Sequence, residues 1–369
     1  LLGNSPDNLW ILTCGAMKVA INDITEPNAT ALLSLIRVAR AEYPNKRFFV
    51  LDTPDSCAEE VAQALAHAPF SSAGDLAYRD NQYWAYQLEH APTNGDSIPA
   101  SWFNADGSHL VTGAMGGIGR LVIRWLASSG VKHVIALGRN QHSDWSEFCA
   151  QMANFGCHIE THLVDLTVSG ELANLLNQLT DRRVVAGAIH TAGNPHHGLI
   201  DQWDSLTAEQ VIRVKAETFE TLYHWLEARQ AGYLIGFSSV ATLGAPTQGL
   251  YAVANAFLDG FAQSHHADGH CRVMSLAWGA WDHIGMTRDA ALVAKLSQEG
   301  MHTLSPAEGL WHLSQSLLMG TEHAFAMNIS SNSAQFAKHF TLDSQGTTVS
   351  ACASLALETV ATNTWLQDR

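Results

Sequence analysis

Short apolar runs alternate with stretches of helical spacing along most of the chain. Leu9–Thr13 and Phe48–Asp52 read as buried strands, and between them a helix runs from about Ala29 to Glu42, ended by Pro44. Ala58–Ala68 carries its apolar residues on one helical face. Asp75–Leu88, with Tyr78, Tyr83, Trp84 and Tyr86, reads as an aromatic-rich hairpin. Turn formers then crowd residues 91–108 (APTNGDSIPASWFNADGS), which predicts a boundary between two units.

Beyond the boundary the alternation restarts. Strands are expected at His109–Thr112, Val131–Leu137, His158–Val164, Val184–His190, Tyr233–Phe237, Val273–Ala277 and Ala324–Ile329. Helices are expected over Gly117–Ser129, 144–155, 169–180, 250–264 and, as one long segment, 207–229. Another begins at Ser305-Pro306-Ala307-Glu308, where Ser is the N-cap, Pro takes the first helical position and Glu closes a capping box. Residues 341–369 show only a weak helical pattern. This repetition predicts an α/β fold in which residues 105–335 form a Rossmann-like doubly wound parallel sheet. Residues 1–104 read as a smaller Rossmann-like unit, and 336–369 as a C-terminal tail or interdomain linker. Each half opens with a strand and a small-residue turn, Thr13-Cys14-Gly15-Ala16 and Thr112-Gly113-Ala114.

Composition narrows the functions open to such a chain. Only 15% of the 369 residues are Asp, Glu, Lys or Arg, against about 25% in an ordinary soluble domain. Either the surface is neutral and polar, or part of it faces neighbouring protein. Thirty-five acidic and 20 basic residues give a net charge of −15. The acidity is spread over both halves, which argues against nucleic acid as a partner. No run approaches the roughly 18 apolar residues of a membrane helix, and the first residues lack the charged region of a signal peptide. Six scattered cysteines without a CxxC pair read as reduced, cytoplasmic thiols. The first methionine is Met17, which predicts a piece of a longer polypeptide. No metal site is expected: His158 and His162 share a strand face but lie about 13 Å apart, and His265, His266, His270 and Cys271 read as a helix end and surface loop.

The first chemistry lies between a strand and a helix. Thr112-Gly113-Ala114-Met115-Gly116-Gly117-Ile118-Gly119 has the spacing T-G-x-x-x-G-x-G. Gly113 permits a tight turn, Gly117 lets a pyrophosphate approach the backbone, and Gly119 lets the helix close on the sheet. The helix N-terminus offers N–H groups to the phosphates. An acid ending the second strand would hold the ribose hydroxyls of NAD. Here that strand ends Ala136-Leu137-Gly138-Arg139, and the Arg139 cation suits a 2′-phosphate, which predicts NADPH. Asp165, ending the third strand beside Leu166, suits either an adenine amino group or the cap of the next helix. Ala192 and Gly193, after the fourth strand, complete the expected cofactor set.

Four segments are specific in combination: VTGAMGGIGRLVIRWLASSGVKHVIALGR (111–139), GAIHTAGNPHHGLI (187–200), FSSVATLGAPTQGLYAVANAFLDGFA (237–262) and SLAWGAW (275–281). Over about residues 9–335 the chain resembles the ketoreductase domains of modular polyketide synthases, within the short-chain dehydrogenase/reductase superfamily. Ordinary members of that superfamily carry Tyr-x-x-x-Lys on one helix. Here Tyr251 is followed four residues on by Asn255, and the resemblance moves the lysine to the preceding helix. Lys215 lies 36 residues before the tyrosine and Ser238 lies 13 before it. The resemblance implies that Tyr251 is the general acid, with the phenol's usual pKa near 10 lowered by Lys215. It implies that Ser238 hydrogen-bonds the carbonyl oxygen and that Asn255 positions Lys215 or a water.

The same resemblance implies that residues 1–104 are a truncated structural subdomain without a nucleotide loop, and that a lid helix lies within 286–300. The implied substrate is a 3-ketoacyl thioester on the phosphopantetheine arm of an acyl carrier protein, with neighbouring domains of the same synthase as further partners. B-type relatives carry Leu-Asp-Asp where this chain has Pro195-His196-His197, and A-type relatives carry Trp where it has Leu243. Pro246 resembles a feature of some B-type enzymes, and Gln248 belongs to the same loop. Loss of the acidic pair leans toward the A type. His196 and His197 read either as contacts to the phosphopantetheine arm or as polar loop residues. Two other readings are a free-standing reductase of small ketones and a cofactor-binding scaffold without turnover.

Overall fold

The computed structural model describes residues 8–20, 22–54, 58–68, 74–90, 103, 105–179, 184–265, 269–284, 290–298, 300–329 and 349–360. The first half contains β1 (Asn8–Cys14), α1 (Pro27–Glu42), β2 (Arg47–Thr53), α2 (Ala58–His67), β3 (Asp75–Arg79) and β4 (Gln82–His90). The expected hairpin is β3–β4, turned at Asp80 and Asn81, which both have positive φ. Asp and Asn tolerate that region best among residues with a side chain.

The second half runs β5 (Ser108–Thr112), α3 (Gly117–Ser128), β6 (His133–Gly138), α4 (Trp145–Asn154), β7 (His158–Leu163), α5 (Glu171–Gln178) and β8 (Val185–His190). It continues through α6 (Ser205–Ile212), α7 (Thr218–Glu227), β9 (Tyr233–Ser239), α8 (Gly249–His265), β10 (Arg272–Trp278), α9 (Ala290–Gln298), β11 (Met301–His302), α10 (Pro306–Met319) and β12 (His323–Ile329). Seven parallel strands stand in the order β7-β6-β5-β8-β9-β10-β12. The order reverses between β5 and β8, which opens the crevice where doubly wound sheets bind ligands. One face is filled by Val122, Trp125, Trp145, Phe148, Leu313 and Leu317, the other by Leu172, Phe219, Leu222, Trp225, Leu258 and Phe261. The Ser305–Glu308 capping box forms as the spacing predicts. No helix among the described residues is long and apolar enough to cross a membrane.

Two expectations are corrected. The single helix over 207–229 is broken into α6 and α7 by a π turn at Arg213–Glu217. Thr218 closes that turn by giving both its backbone N–H and its hydroxyl to the Arg213 carbonyl. The weak helical pattern of the tail gives way to a strand, β13 (Val349–Val360), antiparallel to both β12 and β4. Both of those strands would otherwise present a row of unpaired backbone groups, and pairing outweighs a weak local preference. β13 thereby joins the two halves in one 13-stranded sheet. Residues 330–348 and 361–369 of the tail, and most of the 91–108 boundary, lie outside the described residues.

The two halves also meet through helices. α1 crosses α8 closely enough that a Cβ on Gly260 would lie 2.6 Å from Thr30 Oγ1. Thr25 donates to the Gly260 carbonyl, and Ser34 to the Thr242 carbonyl.

Candidate active site

The glycine loop after β5 opens a cleft of about 470 Å³. Gly113 has φ +66°, and a Cβ on Gly119 would stand 2.3 Å from the Gly113 carbonyl oxygen. Only glycines let the loop turn and α3 close on it. Gly113, Met115, Gly116, Gly117, Ile118, Gly119, Arg139, Asp165, Leu166, Ala192 and Gly193 all line the cleft. Thr112 does not: it is buried, and its hydroxyl hydrogen-bonds His190 Nδ1 at 2.7 Å and accepts from the Ala192 N–H. It is a strut between β5 and β8. Asp165 accepts from the Thr167 N–H and hydroxyl through one oxygen, which holds its carboxyl below the usual range. Asp165 thus closes a local turn on the cleft wall and does not cap α5, whose N-cap is Gly170 without a side-chain bond. Sequence reasoning missed Asn140, His142, Thr167, Thr191, Asn194 and Ile284, which also line it. Asn140 and His142 follow Arg139 directly and could have been found by that adjacency.

The matching turn of the first half is filled from within. Asp52, ending β2, accepts from the N–H groups of Ala16 and Met17 and from the Thr13 hydroxyl, and pairs with Arg79. Those are the donors that a phosphate would need.

Past the cleft, Lys215 projects from the π turn into full burial and donates to the Phe237 carbonyl. Burial pushes its ammonium down to about 7, and Asp259 only partly counters this. A Cβ on Gly193 would lie 3.2 Å from Lys215 Cε and 4.0 Å from Tyr251 Cε2, so Gly193 leaves room for both side chains. Tyr251 sits in the first turn of α8. Burial raises its phenol, against hydrogen bonds from the Ser239 and Asn255 side chains. The expected lowering of Tyr251 by Lys215 is thus not what this arrangement produces. Asn255 Nδ2 donates to the Tyr251 carbonyl at 2.7 Å, while its Oδ1 is buried without a partner among the described residues. His190, beside Lys215, is held well below its ordinary pKa by burial and by that cation, so it is neutral.

The serine assignment changes. Ser238 is buried and donates back to the Asn255 carbonyl at 3.3 Å, whereas Ser239 hydrogen-bonds Tyr251. Both hydroxyls thus reach α8, Ser238 at the Asn255 backbone and Ser239, the last residue of β9, at the tyrosine. Counting back 13 residues reaches Ser238, the member bonded to the Asn255 carbonyl.

The stereocontrol candidates fall on two loops. Pro195 and His197 are exposed, and His196 is half-buried with its Nδ1 unpartnered among the described residues. Leu243 is buried, Pro246 exposed, and Gln248 bridges to Gly198 through the backbone. α9 occupies the interval where a lid helix is expected.

Comparison with known proteins adds context. A family model for the KR domain matches residues 107–283, and one for the Rossmann fold domain of the polyketide synthase extender module SpnB matches residues 4–88. The spectinabilin polyketide synthase system protein NorA of Streptomyces orinoci is 32% identical over 333 residues, which is 87% of this chain and 17% of NorA. The pikromycin polyketide synthase component PikAIII of Streptomyces venezuelae is 29% identical, over 84% of this chain and 20% of its own length. The chain thus spans at most a fifth of either relative. Among solved structures, A-type ketoreductases from a modular polyketide synthase match with a TM-score of 0.82 and 26% identity, over 92% of this chain and 73% of theirs. A C2-type ketoreductase matches with a TM-score of 0.80 and 27% identity, over 90% and 72%.

The buried lysine has a measurable consequence. Folded, Lys215 binds its proton only near pH 7; unfolded, it does so near 10.4. Between those values the unfolded state holds the extra proton, so falling pH destabilises the fold by up to roughly 1.4 kcal/mol per unit. Lys215→Met removes this contribution. The variant is expected to melt above the parent at pH 7, with the gap narrowing toward pH 10. Thermal midpoints at pH 7, 8, 9 and 10 check this, and a gap that does not vary with pH contradicts it.

Proposed function

The chain belongs to the ketoreductase domains of polyketide synthases, in the short-chain dehydrogenase/reductase superfamily, and from that premise we propose that it reduces the 3-keto group of an acyl-carrier-bound 3-ketoacyl thioester to the 3-hydroxy form with NADPH. The observation that carries this reading is the convergence of Tyr251, Lys215 and Gly193 at the end of the glycine-loop cleft.

The cleft suits a nicotinamide dinucleotide. A Cβ on Gly113 or Gly119 would fill the loop's cradle, and no side chain caps the α3 N-terminus. The backbone of Gly116–Gly119 would hold the pyrophosphate, Arg139 a 2′-phosphate, Asp165 and Leu166 the adenine side, and Ala192 and Gly193 the nicotinamide end. When bound, NADPH supplies the hydride that the carbonyl carbon takes up. Tyr251 gives its proton to the carbonyl oxygen as that bond becomes an alcohol. A phenol raised by burial keeps its proton until the oxygen gains charge. Ser239, already bonded to Tyr251, supplies the second donor to that oxygen. Developing negative charge favours the cationic form of Lys215, which then steadies the phenolate left behind. The unpartnered Asn255 Oδ1 offers an acceptor for a water that returns the proton.

The Pro195-His196-His197 loop, without an acidic pair, supports the A type. Neighbouring synthase domains and the carrier protein are the proposed partners, and the cytoplasm the proposed location.

Tyr251→Phe and Ser239→Ala are each expected to lower reduction of a short 3-ketoacyl thioester by about 10²-fold or more, while Ser238→Ala stays within a few-fold of the parent. Steady-state NADPH oxidation measures all three, and an unchanged Tyr251→Phe rate refutes the mechanism. Arg139→Ala is expected to weaken NADPH binding at least tenfold more than NADH binding, read by cofactor fluorescence; equal losses remove the 2′-phosphate assignment. Chiral analysis of the hydroxyacyl product should return the A-type configuration, and the opposite enantiomer makes the enzyme B-type.

A further inference from the structure

The last residue of α1 is a carboxylate, the wrong sign for the negative end of a helix dipole. Glu42 is held there by two bonds to the other half. Its Oε2 accepts the Ile200 N–H at 2.9 Å and its Oε1 accepts the Thr247 N–H at 2.8 Å. Ile200 ends the loop that leaves Gly193, and Thr247 belongs to the loop that enters α8 just before Tyr251. These loops carry Pro195, His196 and His197 on one side and Leu243, Pro246 and Gln248 on the other. They also meet directly, through the Gly198 N–H to the Thr247 carbonyl at 2.8 Å.

Thr247 has φ +64°. A β-branched residue in the left-handed region is strained and persists only where its surroundings fix it. Its N–H and carbonyl are held by Glu42 and Gly198 respectively. The strained residue therefore sits at the centre of a three-part clasp between α1 and the two loops.

We propose that Glu42 is a positioning residue: one carboxylate on the N-terminal half clasps the two loops bordering the reaction centre and so sets how the ketoacyl chain is presented to Tyr251. This rests on the reductase reading above. The carboxylate is the only one of the ordinary side chains at this length that accepts two N–H groups through two equivalent oxygens. Gln keeps one acceptor and turns the other into a donor facing an N–H. Ala removes both.

The test uses the full chain, NADPH and a short 3-ketoacyl thioester. Glu42→Ala is expected to lower kcat/KM by about 10- to 100-fold and to erode the stereochemical purity of the product, with NADPH affinity within twofold of the parent. Glu42→Gln should fall between them. A merely structural residue would instead weaken NADPH binding and stability in parallel and leave the enantiomer ratio alone, and that result overturns the proposal. Hydrogen exchange of the Ile200 and Thr247 amides gives a readout independent of activity. Both should lose protection in Glu42→Ala while β8 and β9 amides keep theirs. If the parent does not reduce the thioester, the reductase reading fails, and the exchange result alone decides the clasp: local loss supports it, unchanged protection refutes it.

Discussion

The contact of α1 with α8 is the constraint on which the proposed reaction centre depends. α8 carries Tyr251 and Asn255 on a helix that must stay fixed relative to Lys215 on a separate element. Ordinary relatives place tyrosine and lysine on one helix, where the backbone fixes their separation. Here the separation must be set by packing. Gly260 permits the close crossing, and Val38 packs with Ala241, Ala252 and Tyr251. Ser34, Arg37, Val38 and Glu42 are spaced at three to four residues, so one face of α1 supports the whole segment from Thr242 to Tyr251. The N-terminal half is thus the external brace that the displaced lysine requires.

The two halves use one turn in opposite ways. In the first, Asp52 occupies the strand-end position and turns back to satisfy the Ala16 and Met17 amides. In the second, the residue paired with the loop-opening Thr112 is the apolar Leu137, and the loop faces an open cleft. A buried carboxylate accepting several donors is stable only with a cation beside it, which Arg79 provides. The same local chain geometry becomes a closed strut where a carboxylate at this position turns back onto the loop, and a cradle where an apolar side chain leaves the loop free.

What was legible in the sequence follows from the range of the interactions concerned. Strands, most helices, the glycine loop and the Ser305 cap are set by residues a few positions apart, and periodicity and spacing reveal them. The π turn at Lys215 is not, because it is closed by Thr218 and anchored by Arg213 reaching the Thr167 carbonyl. β13 was hidden because its pairing depends on two strand edges more than 20 and 250 residues away. The Ser238–Ser239 choice was lost for a different reason. A count of residues cannot tell which of two adjacent serines reaches the tyrosine when both bond to α8.

The low charge fraction also acquires a structural meaning. Several of the charges are paired within the first half, Arg37 and Arg40 with Asp75 and Arg79 with Asp23 and Asp52, and Lys18 pairs with Glu322 across the joint. Burial pushes Asp75 upward, yet Arg40 and Arg37 hold it at about 2. Each of these ions has an opposite charge beside it, which fixes geometry. Lys215 differs, since among the described residues its amine meets a backbone carbonyl and no carboxylate. Pairing it as tightly as those arginines would relieve its burial and raise its proton affinity. It would also commit the cation to a fixed partner before any anion forms at the carbonyl. A destabilised lysine at the reaction centre, braced by stable ion pairs elsewhere, is the division of labour expected when stability and activity compete for the same charge.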